Sequence, residues 1–534
     1  MMDTPDKSSA STRQIARAAG TVMLAFVFSN LAGLARDIVI SHAFGTTDWM
    51  DAFVGASRIS DLLFNLVAGG ALASAFVPTF TGLLTRQNRA GAWRLAASVA
   101  NLLLVVLTAA SLAAAVFAPQ LVRYVLFALD PTFNPAQVQL TVALLRIMLP
   151  GVVIFGLSGL VMGILNANQV FLIPALAPAM WSLGQIGTTL LFPESWGIYR
   201  LAAGYVLGAG LHLAVQLPAL LRLPERRYHW TFGLENADVR RVVRLMGPRV
   251  FSAAVVQLNF IVNTMIAFSL PVGSASAINY AFKLMMMPQM AIAQSIAIAA
   301  LPTFSAQAAQ GKWTEMRSSL VATLRGILFL ALPASIGLIL LRGPIVALVY
   351  QRGQFSVEST QMVAWALLWY AAGLVGHSIL EIVTRAFFAL HDTRTPVLVS
   401  VGAMTLNILF SLWFSTLFRQ AGWFPHGGLA LGNSLATFLE TIVLLVLLRR
   451  KLKGIEGLHL ASGFGQALAA AGLMGLIVAA WLLVGNRLPV SLLALGGIAF
   501  GTAAYGLSVW FLKVPEARQA ARMLMLRLRP LLPK

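Results

Sequence analysis

The sequence has no cysteine, and only 10% of its 534 residues are charged. Without cysteine there is no disulfide framework, no thiolate metal site and no cysteine nucleophile. The scarcity of charge excludes more. A soluble domain carries about 25% charged residues and covers its core with them. Here 58% of residues are hydrophobic and the mean hydropathy is +0.81. A soluble enzyme, a disordered chain and a fibrous one are excluded, which leaves a polytopic membrane protein. Enzyme signatures are missing too. There is no phosphate-binding Gly-x-x-x-x-Gly-Lys-Ser/Thr loop, no His-Glu-x-x-His and no extramembrane segment long enough for a catalytic domain. The reading is a transporter without a cofactor, driven by a coupling ion (Na+ or H+), the membrane potential or the substrate gradient.

What is present is apolar sequence in bilayer-length runs. A crossing helix needs about 20 mainly apolar residues. Such segments fall near 18–44, 51–76, 94–117, 139–164, 170–192, 198–220, 246–270, 277–301, 320–341, 361–388, 396–417, 428–448, 463–485 and 490–512. The expectation is an all-α protein of about fourteen transmembrane helices. The first run is too long for a signal-peptide core and reads as a membrane helix with a cytoplasmic N-terminus.

The net charge of +20 would suggest nucleic acid in a soluble protein. In a membrane protein, basic residues collect in cytoplasmic loops. With both termini inside, 28 of the 38 lysines and arginines fall on the inner side and five on the outer. Orientation therefore accounts for most of the basicity, and no nucleic-acid partner is needed.

The chain is also duplicated. Val77-Pro78-Thr79-Phe80-Thr81 recurs 224 residues later as Leu301-Pro302-Thr303-Phe304-Ser305, and Pro174–Phe192 matches Pro396–Phe414 at an offset of 222. Two six-helix lobes with the same orientation and a pseudo-two-fold axis along the membrane normal follow, a transporter architecture with alternating access. The expected parts are a cytoplasmic tail (1–17), a first lobe (18–220), a cytoplasmic connecting loop (221–245), a second lobe (246–448), two extra helices (463–512) and a cytoplasmic tail (513–534).

Ionisable groups inside a bilayer cost several kcal/mol unless they face protein or water. Arg36, Arg58 and Lys283 lie deepest. Together they would attract an anion, and guanidinium groups suit phosphate oxygens. The competing role is neutralisation by Asp37, Asp51 and Asp61. Arg58 and Asp61 are spaced to pair on one helix face, whereas adjacent Arg36 and Asp37 point about 100° apart and need not pair. Glu381, one turn after His377, and Glu440 are candidates for a proton or cation relay, or for plain helix–helix hydrogen bonds. His212 reads as a satisfied packing histidine.

Ser29-Asn30-Leu31-Ala32-Gly33-Leu34-Ala35-Arg36-Asp37 resembles the S-R-x-x-G-x-x-R-D signature of the MurJ (MviN) lipid II flippases. Asp51-Ala52-Phe53, Ala75-Phe76-Val77-Pro78, Gly163-Ile164-Leu165-Asn166-Ala167, Met246-Gly247-Pro248, Arg352-Gly353-Gln354-Phe355 and Arg385–Pro396 resemble later blocks, in order along nearly the whole chain. That family belongs to the superfamily of multidrug exporters and polysaccharide flippases. The resemblance implies two six-helix lobes and a C-terminal helix pair that forms a lipid-tail groove. It also implies transfer of an undecaprenyl-pyrophosphate-linked glycopeptide across the bacterial inner membrane for peptidoglycan and cell shape. By resemblance Arg36 and Lys283 hold the pyrophosphate, Asp37 gates or orients it, Asp51 is another functional acid, and Asn263 matches an acid that joins a sodium site in some members. The chain departs from the family pattern at Asn30, Phe64, Asn65, Gly69 and Met286, where charged residues are expected; Arg58 is the candidate replacement for the missing helix 2 cation. Membrane lipids and cell-wall synthesis proteins are the other expected partners. The alternatives are an exporter of another lipid-linked oligosaccharide or a drug, or a non-transporting cell-wall scaffold.

Overall fold

A computed structural model describes residues 7–130, 134–485 and 487–512. The expected tail 513–534 lies outside the described residues. Among those described there are sixteen helices of fifteen residues or more: α1 (Lys7–Phe44), α2 (Asp48–Val67), α3 (Gly70–Thr85), α4 (Arg89–Val116), α5 (Pro135–Ala167), α6 (Leu172–Leu191), α7 (Tyr199–Ala214), α8 (Ala237–Phe268), α9 (Ser274–Gln289), α10 (Ser295–Ala309), α11 (Trp313–Tyr350), α12 (Val357–Ala389), α13 (Arg394–Gln420), α14 (Gly427–Lys451), α15 (Gly457–Val484) and α16 (Val490–Phe511). Twelve described segments are long and apolar enough to cross a membrane. The protein is all-α and multi-pass.

Two expected spans fall outside those twelve, for different reasons. The run at 51–76 is broken at Ala68–Gly69 into α2, which carries Asp48, Asp51, Arg58 and Asp61, and the short α3. The run at 170–192 is one helix, α6, but Gln185, Ser182, Thr188 and Thr189 dilute its hydropathy, and all four are buried. Helix ends also run past the apolar stretches. α1 begins at Lys7 and α8 at Ala237, where the Asn236 side chain accepts a hydrogen bond from the Asp238 amide. Hydropathy reports bilayer thickness, while caps decide where a helix starts.

The chain forms two compact units, one running to Ser269 and one from Leu270 onward. In the first, α1 packs on α6, α6 on α7, α5 on α2, α4 and α7, and α8 on α2 and α3. The helix that the sequence puts at the head of the second lobe thus packs within the first unit. In the second, α12 packs on α9, α11 and α14, α14 on α13, and α15 on α11 and α16.

The duplication is visible inside each unit. Pro78 and Pro302 sit within α3 and α10, and the phenylalanine two residues later is fully buried in both, Phe80 and Phe304. The break at Ala68–Gly69 has its counterpart in a π-helical turn at Met290–Gln294 between α9 and α10. Interrupted helices at matching positions of two halves are a transporter trait. A close backbone-to-backbone helix contact is repeated as well. A Cβ on Gly184 of α6 would lie 2.4 Å from the Gly208 Cα of α7; one on Gly428 of α14 would lie 2.4 Å from the Ser415 nitrogen of α13. Gly204-x-x-x-Gly208 and Gly428-x-x-x-Gly432 are 224 residues apart, and small residues at this spacing let two backbones touch.

Outside the spans, Asp392 opens α13. It accepts from the Thr395 amide at 3.0 Å, the Thr395 hydroxyl at 2.7 Å and the Lys451 ammonium at 2.6 Å. The Lys451 contact is the main reason its carboxyl is pulled down to about 2, with the Thr395 bonds adding to it and partial burial opposing. A depressed carboxyl contributes stability that is complete above the ordinary value near 4 and is lost as the pH falls toward 2. Lys451→Met should therefore cost thermal stability in detergent at pH 7, and the gap from the parent protein should close between about pH 4 and pH 2.

Candidate functional site

In the first unit, Arg36 and Asp37 sit late in α1. Their side chains pair although they are neighbours in sequence: Nε and Nη2 of Arg36 donate to Oδ1 of Asp37 at 3.1 and 2.9 Å. The long guanidinium arm folds back along the helix, so the angle between the two Cβ directions does not prevent contact. Both side chains are largely buried, at 12% and 6% exposure. The Arg36 guanidinium also lies 4.8 Å from the centre of the Trp181 ring. Two of its five N–H groups are spent on Asp37, and the remaining three make no bond to the described residues. A planar cation held from one side by a carboxylate and from another by an aromatic face is oriented before any ligand arrives.

Trp181 is not isolated. It meets Phe155 at 5.6 Å and Tyr205 at 6.1 Å, and Phe155 meets Phe64 at 5.9 Å and His212 at 5.3 Å between ring centres. Phe64, where the resemblance leads one to expect a cation, therefore belongs to an aromatic cluster. Below it the buried Ser158 hydroxyl meets Nδ1 of His212 at 2.7 Å and accepts from Nε2 of Gln216 at 2.8 Å. His212 is the packing histidine that its sequence context suggests. Among the described residues the buried Trp181 indole N–H has no hydrogen-bond partner, so Trp181→Leu removes the ring face without breaking a hydrogen bond among them. Arg36 should then lose orientation, and the affinity of any anion that pairs with it should fall about threefold to thirtyfold, the span of a cation–π contact. Trp181→Phe should recover most of it in a lipid-binding titration.

Arg58 of α2 does not pair with Asp61 among the described residues. Its guanidinium lies 5.1 Å from the Phe260 ring of α8, and its Nε is buried with no hydrogen-bond partner. Asp51 is buried at 3% exposure, and Asp61 is half-buried, one turn before Asn65, whose amide donates to the Asp61 carbonyl. Asn263 donates to the carbonyl and side-chain oxygens of Asn259, one turn earlier on α8, at 2.9 and 3.1 Å.

In the second unit Lys283 is half-buried on α9, beside Phe282, whose ring meets Tyr370 of α12 at 5.3 Å. The two candidate relay acids have separate partners. Glu381 accepts from Arg385 one turn later at 2.8 Å, and His377 instead meets Asn433 of α14 at 3.1 Å. Glu440 accepts from the Ser400 hydroxyl, which ties α14 to α13. The sequence had no means of singling out Trp181 or Phe260, whose cation partners are distant in sequence.

The sequence model of one protein family, Lipid II flippase MurJ, matches residues 40–494. The chain belongs to the MurJ family. Its relatives include the lipid II flippase MurJ of Burkholderia cenocepacia, 31% identical over 445 residues that cover 82% of this chain and 84% of that protein. A probable lipid II flippase MurJ of Bdellovibrio bacteriovorus is 31% identical over 454 residues and 84% of either chain. Among solved structures, a lipid II flippase MurJ in an inward closed conformation matches with a TM-score of 0.77 at 22% identity, over 92% of this chain and 98% of the other. A multidrug resistance MATE transporter of the MOP superfamily matches at 0.68 and 16%, over 80% and 94%. These two share the fold. MurJ is a transporter family, not an enzyme family, so the lack of catalytic motifs agrees with membership.

Proposed function

We propose that this chain is a lipid II flippase, carrying undecaprenyl-pyrophosphate-linked disaccharide-pentapeptide from the inner to the outer leaflet by alternating access. The observation that carries the reading is membership of MurJ over residues 40–494. The preset Arg36, with three donors left for phosphate oxygens, gives the family function a chemical basis in this chain. In the first unit Arg36 and Arg58 are assigned to the diphosphate. Asp37 fixes Arg36, and Asp51 and Asp61 balance charge on α2. In the second unit Lys283 is the candidate cation for substrate phosphate. Asn263, Glu381 and Glu440 remain the candidates for ion coupling. An inside-negative potential favours outward movement of the anion, by about 2.3 kcal/mol per charge per 100 mV. The protein sits in the bacterial inner membrane with both termini cytoplasmic.

Native mass spectrometry of the purified protein tests the reading. A co-purified or added pyrophosphate-linked polyprenyl glycopeptide should bind, and Arg36→Ala should lose it. Equal retention of a lipid without the diphosphate would favour an exporter of different substrate class.

A further inference from the structure

The segment joining α7 to α8, expected to be a cytoplasmic connecting loop, is held against α4 by specific contacts. It runs along α4. The Pro224 carbonyl accepts from the Trp93 indole at 3.3 Å, and farther on the Thr231 and His229 carbonyls accept from the Asn101 amide at 2.8 and 3.2 Å. The Tyr228 hydroxyl donates to the Asn101 side-chain oxygen. Gly233 then turns the chain back against Ser98 with φ +57. Arg94 is the last charged residue of α4; Asn101 lies seven residues deeper, about 10 Å along a helix axis. Non-helical backbone at such depth needs protein partners, and Asn101, itself 1% exposed, supplies them. What the hairpin leaves uncovered is Tyr228, Trp230 and Leu234, at 64%, 66% and 61% exposure. Arg226 and Arg227 precede them, and no acid lies between 226 and 234.

We propose that residues 226–234 form a re-entrant interfacial anchor, with Tyr228 and Trp230 in the headgroup boundary of the leaflet on the arginine-rich side and Arg226 and Arg227 on the phosphates of anionic phospholipid. Tyrosine and tryptophan prefer that boundary, and paired arginines complement its negative surface. This rests on the cytoplasmic orientation proposed above only for which leaflet is contacted.

The chain has no cysteine, so a single Trp230→Cys carries a unique environment-sensitive fluorophore. The full-length protein is placed in phosphatidylcholine vesicles with increasing phosphatidylglycerol. The expected result is blue-shifted emission, quenched by lipid bearing a nitroxide near the glycerol backbone and shielded from aqueous iodide. Adding Arg226→Gln and Arg227→Gln should weaken membrane association by about fivefold per arginine, so that more phosphatidylglycerol is needed for half the shift. Adding Asn101→Ala should return the emission toward that of water by releasing the hairpin. Water-like emission quenched by iodide in the Trp230→Cys protein overturns the proposal, as does lipid quenching indifferent to phosphatidylglycerol and to both arginines. A label at Lys312→Cys, probed from either side of sealed vesicles, reports orientation separately, so an error in sidedness is distinguishable from a failed anchor.

Discussion

Arg36→Ala is expected to abolish flipping. On the proposed assignment three guanidinium N–H groups would meet the diphosphate, and each charge-assisted hydrogen bond contributes about 1.5–3 kcal/mol. Loss of even two of them is a loss of about a hundredfold or more in transport. The difficulty is that Asp37, at 6% side-chain exposure, would lose its Arg36 partner, and breaking a buried pair costs about 3–5 kcal/mol. A dead Arg36→Ala protein could be misfolded rather than unable to bind. Two companions separate these. Arg36→Ala with Asp37→Asn removes both charges, so the protein should recover membrane abundance and thermal stability while transport stays absent. Arg36→Lys keeps a cation but loses the planar fork and the stack on Trp181; it should fold and transport poorly. If Arg36→Ala supports growth of a cell depleted of its own flippase, the assignment of Arg36 to the diphosphate is wrong.

The second large effect concerns folding. Gly184→Ala places a methyl 2.4 Å from the Gly208 Cα, and Gly428→Ala places one 2.4 Å from the Ser415 nitrogen. In both cases the obstacle is backbone, which cannot rotate away. The two helices must separate, at about 1–3 kcal/mol or more. Gly187→Ala on α6 and Gly402→Ala on α13 meet nothing within 4 Å and should be neutral or slightly stabilising, since alanine favours a helix by up to about 1 kcal/mol. Thermal unfolding of the four variants in detergent should show both clashing variants destabilised and both controls not. Destabilisation in only one unit would mean that the duplicated contact is not equally important to both.

These two cases also mark how far the sequence reaches. Twelve of the fourteen segments and the duplication follow from hydropathy and spacing, because a bilayer imposes one length and one charge rule on every span. The break at Ala68–Gly69 does not follow, since an apolar run continues through it. The sequence leaves the Arg36–Asp37 pair open, because Cβ direction is a poor guide for an arm as long as arginine's. Trp181 and Phe260 are tertiary partners of their cations and leave no local trace. Asn101 did leave one, as an amide in an otherwise apolar stretch of α4, and so did the Gly-x-x-x-Gly pairs at the repeat offset. Both are signals that a search for polar outliers and repeated small residues recovers.

The central claim is tested most directly by complementation. The unmodified chain is expressed in a bacterium whose essential lipid II flippase is depleted, and lipid II exposed on the outer leaflet is quantified in the same cells. The account predicts sustained growth and outer-leaflet lipid II. Membrane-inserted protein at normal abundance with lysis and lipid II confined to the inner leaflet would contradict it.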